Sequence, residues 1–223
     1  VGYITANYIV ERLGGVLVGE VYSIYFPSQL DVGEDGLGSL IMGRVYDVGS
    51  ALVFTADVQP QSHEGQNLLS KKVLEFLSRR GVNFVVSAAA YVVPTVDDVR
   101  RVYVAGTDSE SIERFTSIGA HRLRGGVISG INGAIIGWSR YFGIPGAVLL
   151  GETWAPLVEV DESDFRAAKH VLDVLARFLG VEIDTTELDA FAAHVEQRVA
   201  MALAKAVARR EELKRPEGGR EVM

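Results

Sequence analysis

Gly125-Gly126-Val127-Ile128-Ser129-Gly130-Ile131-Asn132-Gly133-Ala134-Ile135-Ile136-Gly137 is a glycine-dense turn running into an apolar segment. The pattern predicts a helix over 134–142, with Asn132 as its cap. Pro145 to Leu150 follows as an uninterrupted apolar run, the signature of a strand buried on both faces. Upstream, Phe84 to Ala90 has the same character, Arg101 to Ala105 reads as another strand, and Ser109 to Ser117 as a short helix. Strands alternating with helices in this way indicate an α/β domain.

The rest of the chain fits that frame. Gly2 to Leu13 is amphipathic and stops at Gly14-Gly15, which predicts a helix. Val16 to Phe26, rich in Val, Ile and Tyr and broken by Pro27, reads as a strand, and Asp31 to Gly38 as a polar loop. Leu40 to Tyr46 and Ala51 to Val58 flank Asp47-Val48-Gly49-Ser50, a hairpin signal. Ser62 caps a helix whose Leu69, Val73, Phe76 and Leu77 recur at helical spacing until Gly81. Phe165, Ala168, Leu172, Leu175 and Leu179 mark a helix capped by Asp161 or Ser163 and ended by Gly180. From about Thr185 to Lys214, Leu188, Phe191, Val195, Val199, Ala202 and Ala206 form one apolar stripe. The expectation is a three-layer α/β/α domain with a mixed, largely parallel sheet over 1–183. A C-terminal helix over 184–215 packs on it or on a neighbouring subunit, and 216–223 form a flexible tail.

Composition narrows the function. The 223 residues suit one domain, and no stretch approaches the roughly 18 apolar residues of a membrane span. With a formal net charge of -7 and no concentrated basic footprint, nucleic acid is not an expected partner, and neither is a membrane. The absence of cysteine excludes disulfides, thiolate zinc sites and thiol catalysis. His63, His121, His170 and His194 lack metal-ligand spacing. A soluble cytoplasmic protein without metal or cofactor is expected.

Two segments could carry chemistry. Amides at the 125–133 turn could hold an anion, with Gly125, Gly126, Gly130, Asn132 and Gly133 as candidate ligand-binding residues. The segment has neither the P-loop Lys-Ser/Thr pair nor the Rossmann spacing, so glycines serving turns and helix packing are the favoured reading. Glu152, placed just past the strand ending near Leu150, could be a general base or hold a ribose hydroxyl, or could bond loop amides and Thr153. Ser62, His63 and Glu64 do not form a triad, because adjacent side chains diverge; Ser62 is a cap and Glu64 complements the helix dipole.

The segments 2–11, 125–137 and Val148-Leu149-Leu150-Gly151-Glu152-Thr153 together resemble the archaeal proteasome-assembly-chaperone family. The likeness covers about residues 1–180. It implies a nucleoside-phosphorylase-like fold without the phosphorylase active site, homo-oligomers, and binding to proteasome α subunits. It also implies a strand and a Gly-rich turn ahead of Val1. Such assembly factors often end in a hydrophobic residue, Tyr and one more residue; here Glu221-Val222-Met223 stands there, so Val222 and Met223 are the partner-binding candidates, without the tyrosine hydroxyl.

Three functions follow as expectations. One is a non-catalytic assembly factor holding proteasome subunits. Another is a small-molecule or nucleotide-binding enzyme using the 125–133 turn and Glu152. The third is an oligomeric paralogue with a different partner.

Overall fold

The computed structural model describes residues 1–214. Helix α1 (Gly2–Arg12) leads to strand β1 (Val16–Val21). A two-stranded hairpin, β2 (Leu30–Val32) and β3 (Gly38–Leu40), precedes β4 (Gly43–Asp47) and β5 (Leu52–Ala56). Then come α2 (His63–Arg79), β6 (Val85–Val93), β7 (Val102–Gly106), α3 (Ser109–Thr116) and β8 (His121–Arg122). The chain continues through α4 (Ile131–Tyr141), β9 (Gly146–Trp154), α5 (Ala155–Glu159), α6 (Phe165–Leu179) and α7 (Thr186–Lys214).

Local signals place most of these elements. Asp47 Oδ1 accepts the Gly49 amide at 2.8 Å, and Gly49 at φ +81° closes the turn that pairs Val45 with Phe54 and Gly43 with Ala56. Ser62 Oγ accepts the Gly65 amide at 3.1 Å, and α2 then buries Leu69, Val73, Leu74 and Leu77. Helix α6 ends on left-handed Gly180. Its N-cap is Asp164, which accepts the Ala167 amide at 2.8 Å, rather than the expected Asp161 or Ser163. The expected loop over 31–38 instead holds the turn of the β2–β3 hairpin together with Asp31, Val32 and Gly38 of its strands.

Strand direction departs further from expectation. The strands form a three-stranded sheet β1-β4-β5, the isolated hairpin β2-β3, and a four-stranded sheet β6-β9-β7-β8. Only β6–β9 and β7–β8 are parallel; β1–β4, β4–β5, β2–β3 and β7–β9 are antiparallel, so the sheets are mixed but not largely parallel. The apolar run of β6 was expected to be covered on both faces. Only Val85 is buried there, because β6 is an edge strand, whereas β9 sits between two neighbours and is buried from Gly146 to Thr153.

Two apolar clusters lie against the four-stranded sheet. One joins Tyr8, Ile9, Val104, Phe115, Leu149 and Leu172, contributed by α1, α3, α6 and the strands. The other joins Leu69, Val73, Ile135, Val148 and Leu150 beneath α2 and α4. Helix α7 packs on the domain through buried Leu188, Ala192, Val195 and Val199. The predicted stripe changes outside those residues: Phe191 is half-exposed beside the Phe165 ring, and Ala202 and Ala206 are exposed.

Candidate functional site

At the 125–133 turn, Gly125, Gly126 and Gly130 take φ of +154°, +121° and +80°, a region that disfavours side chains. Helix α4 begins three residues earlier than predicted, and Asn132 is not its cap. Gly130 is the N-cap and bonds nothing through a side chain; the Ile131 amide instead donates to Gln59 Oε1 at 3.3 Å. Asn132 contributes its carbonyl, which accepts Ser87 Oγ at 2.8 Å. Gly133 is required by packing, since a Cβ there would lie 2.0 Å from the Ile128 carbonyl oxygen. The turn and Tyr91, Leu123 and Leu150 enclose a cavity of about 150 Å³, well short of the roughly 300 Å³ at which small-molecule sites begin.

Glu152 lies within β9 rather than past it, and is buried. Its Oε2 accepts the Arg101 amide and its Oε1 the Tyr103 hydroxyl, both at 3.1 Å, with Arg101 Nε 3.4 Å away. Burial first, then the hydrogen bond to Glu152, pushes the Tyr103 phenol above its usual range. Tyr91 lines the small cavity and its ring lies 4.9 Å from that of Tyr103, so the turn and Glu152 are neighbours at one end of the sheet. Both carboxylate oxygens of Glu152 are engaged in joining β9 to β7. That is a structural role for the carboxylate, not the arrangement of a poised base.

A cavity of about 950 Å³ lies between β5 and β6. Among the described residues β5 pairs only with β4 and β6 only with β9, so each presents an unpaired edge to this slot. Side chains from both apolar clusters line it, Ile9 and Phe178 from one and Leu69 and Ile135 from the other. A slot between two strand edges, covered by helices on either side, has the surroundings of a sheet interior rather than of a ligand pocket.

Sequence reading missed the densest charged cluster. Arg100, 4% exposed, donates to Glu196 Oε1 at 2.6 Å and to the Asp97 carbonyl, with Nε 3.9 Å from Asp164 Oδ2. Arg166 grips the same Glu196 with Nε at 3.0 Å and Nη2 at 2.9 Å. Hydrogen bonding to Glu196 raises the Arg166 guanidinium above its usual value. Asp164 also accepts the Trp154 amide at 3.1 Å, so the cluster ties the β6–β7 loop, β9, α6 and α7 together. The only local signal was the density of charge around Asp97-Asp98-Val99-Arg100-Arg101; its partners lie far along the chain.

Among the described residues no group of three or more His, Asp or Glu is arranged to hold a metal, and no helix is long and apolar enough to cross a membrane. Val222 and Met223 lie outside the described residues.

Comparison with known proteins bears on what this scaffold is. The crystal structure of Pyrococcus furiosus PbaB, an archaeal proteasome activator, matches with a TM-score of 0.79 and 26% identity, covering 90% of this chain and 87% of that one. Pyrococcus furiosus PbaA, an archaeal homolog of proteasome-assembly chaperone, matches with a TM-score of 0.77 and 25% identity, covering 95% and 86%. MJ1210 of Methanocaldococcus jannaschii is 28% identical over 201 residues, 88% of this chain and 76% of that protein. The PAC2 family model matches residues 1–203, from α1 through most of α7. On that span, the chain belongs to the PAC2 family.

Proposed function

We propose that this protein is a non-catalytic, cytoplasmic assembly factor of the proteasome-assembly-chaperone type, which forms homo-oligomers and binds proteasome α subunits. The observation that carries this reading is its family membership together with its likeness, over nine-tenths of the chain, to PbaB and PbaA. The engagement of Glu152 in the β7–β9 junction and the small size of the cavity at the 125–133 turn weigh against the alternative of a nucleotide-binding enzyme.

The three-layer, nucleoside-phosphorylase-like arrangement belongs to the same reading. The slot between β5 and β6 supports it, because one further extended strand seated there would bond both unpaired edges and join two sheets into one. The same reading divides the chain into a core over 1–183 and a helical extension from 184, and the expected tail over 216–223 lies outside the described residues.

The test is native mass spectrometry of the full-length protein mixed with cognate proteasome α subunits, beside each component alone. A mixed complex of defined stoichiometry is expected, unaffected by Glu152→Gln. Separate species over a range of salt concentrations overturn the proposal.

A further inference from the structure

The β2–β3 hairpin stands apart from the rest of the fold. Among the described residues its strands pair only with each other, and a lone two-stranded hairpin is marginal in water. Phe26 and Met42, which flank it, are both buried, Phe26 in the core beneath α2. Between them the arm leaves Leu30, Val32, Leu37 and Leu40 exposed by 64%, 56%, 73% and 60%. Residues 30–40 carry three acids, Asp31, Glu34 and Asp35, and no Lys or Arg. The arm is therefore apolar and acidic at once.

The segment 121–130 has the opposite charge. It carries Arg122, Arg124 and His121 and no acid, and both arginines are exposed. Beside it opens the cavity of about 150 Å³, lined by apolar side chains including Leu123, Ile128 and Leu150. An apolar cavity of that size can take a benzene ring, so it has room for one leucine side chain. Val127, 95% exposed, stands at its wall.

The geometry points to these two surfaces as the halves of one interface between copies of this chain. The acidic hairpin of one copy docks on the basic 121–130 turn of the next, with Leu37 seated in the small cavity. The inference rests on the self-association put forward above and names its surface. The occupant is a second copy because a single sequence supplies both complementary charge and an exposed leucine suited to the cavity, and the chain leaves its own Leu37 in solvent. Because the two surfaces differ, the contact is either made twice across a two-fold axis or made head-to-tail, the kind that closes into rings or extends as filaments. It also gives the glycines of the turn a use, since they keep the rim low enough for a neighbouring backbone to approach.

Light scattering coupled to size exclusion, with sedimentation for the dissociation constant, tests it on full-length protein. Asp31→Lys with Glu34→Lys, or Arg122→Glu with Arg124→Glu, places like charges together and should raise the dissociation constant on the order of a hundredfold. Asp35 is left in place because its Oδ1 accepts the Leu37 amide and shapes the turn. Combining all four reversals in one chain, or mixing the two variants, should restore assembly, a rescue that unfolding cannot mimic. Leu37→Ala should weaken assembly about tenfold or more, since a truncated anchor loses its pocket contacts. Charge variants that keep the wild-type mass and affinity, or a combined variant that stays dissociated, overturn this interface while self-association stands. Wild-type protein that remains monomeric at high concentration overturns both.

Discussion

Glu196→Ala removes the carboxylate on which two guanidinium groups converge. Arg166 approaches it through Nε and Nη2 and Arg100 through Nη2, at 2.6–3.2 Å. The side chain of Arg100 is 3% exposed, so after truncation its charge remains buried with Asp164 at 3.9 Å and the Asp97 carbonyl as its partners. Breaking a buried ion pair from one side costs about 3–5 kcal/mol. The 22% exposure of the Glu196 side chain lets water replace part of what is lost, which puts the expectation near the lower end, about 3 kcal/mol. For a chain of this size each kcal/mol moves the melting temperature by about 2–4 °C, so a fall of roughly 6–12 °C is expected. Urea unfolding followed by circular dichroism, at one fixed protein concentration, measures it. Glu110→Ala serves as control: its partner Arg114 is 48% exposed and Glu110 itself 76%, and such a pair contributes less than about 1 kcal/mol. A loss below about 1 kcal/mol for Glu196→Ala would refute the argument that this cluster fastens α7 to the domain.

Gly133→Ala puts a Cβ 2.0 Å from the Ile128 carbonyl oxygen and should cost about 1–3 kcal/mol in urea unfolding, whereas Gly137→Ala meets nothing within 4 Å and should gain about 0.5–1 kcal/mol from helix propensity. Equal effects at the two sites would show that the turn yields freely. Asp108 caps α3, and its carboxyl is held below the usual range by the Ser111 amide and then by the Thr107 and Ser111 hydroxyls. A carboxyl depressed in the folded state stabilises fully above its unfolded value of about 3.9 and loses that contribution as pH falls through the folded value. The stability difference between wild type and Asp108→Asn should therefore shrink between pH 6 and pH 2; a difference constant across that window contradicts the assignment.

What this sequence determined by itself was local. The Ser62 cap, the Gly49 hairpin turn and the Gly180 stop depend on hydrogen bonds and backbone angles within a few residues, and all are legible in sequence. The apolar runs at 84–90 and 145–150 were recognisable as strands for the same reason. Their rank in the sheet was not: equally apolar runs became the edge strand β6 and the central strand β9, because strand order depends on which distant segment lies alongside. The candidate site divides in the same way. Its glycines could be read as turn formers, but the cap on α4 comes from Gln59, seventy-two residues away from Ile131, and the partners of Glu152 come from β7 and from Arg101 just before it. The burial of Arg100, and its bond to Glu196 ninety-six residues on, was likewise settled by the tertiary structure. Pairings of that kind leave no periodic trace in either segment, since a charged residue reads as a surface residue until folding brings its counter-charge to it.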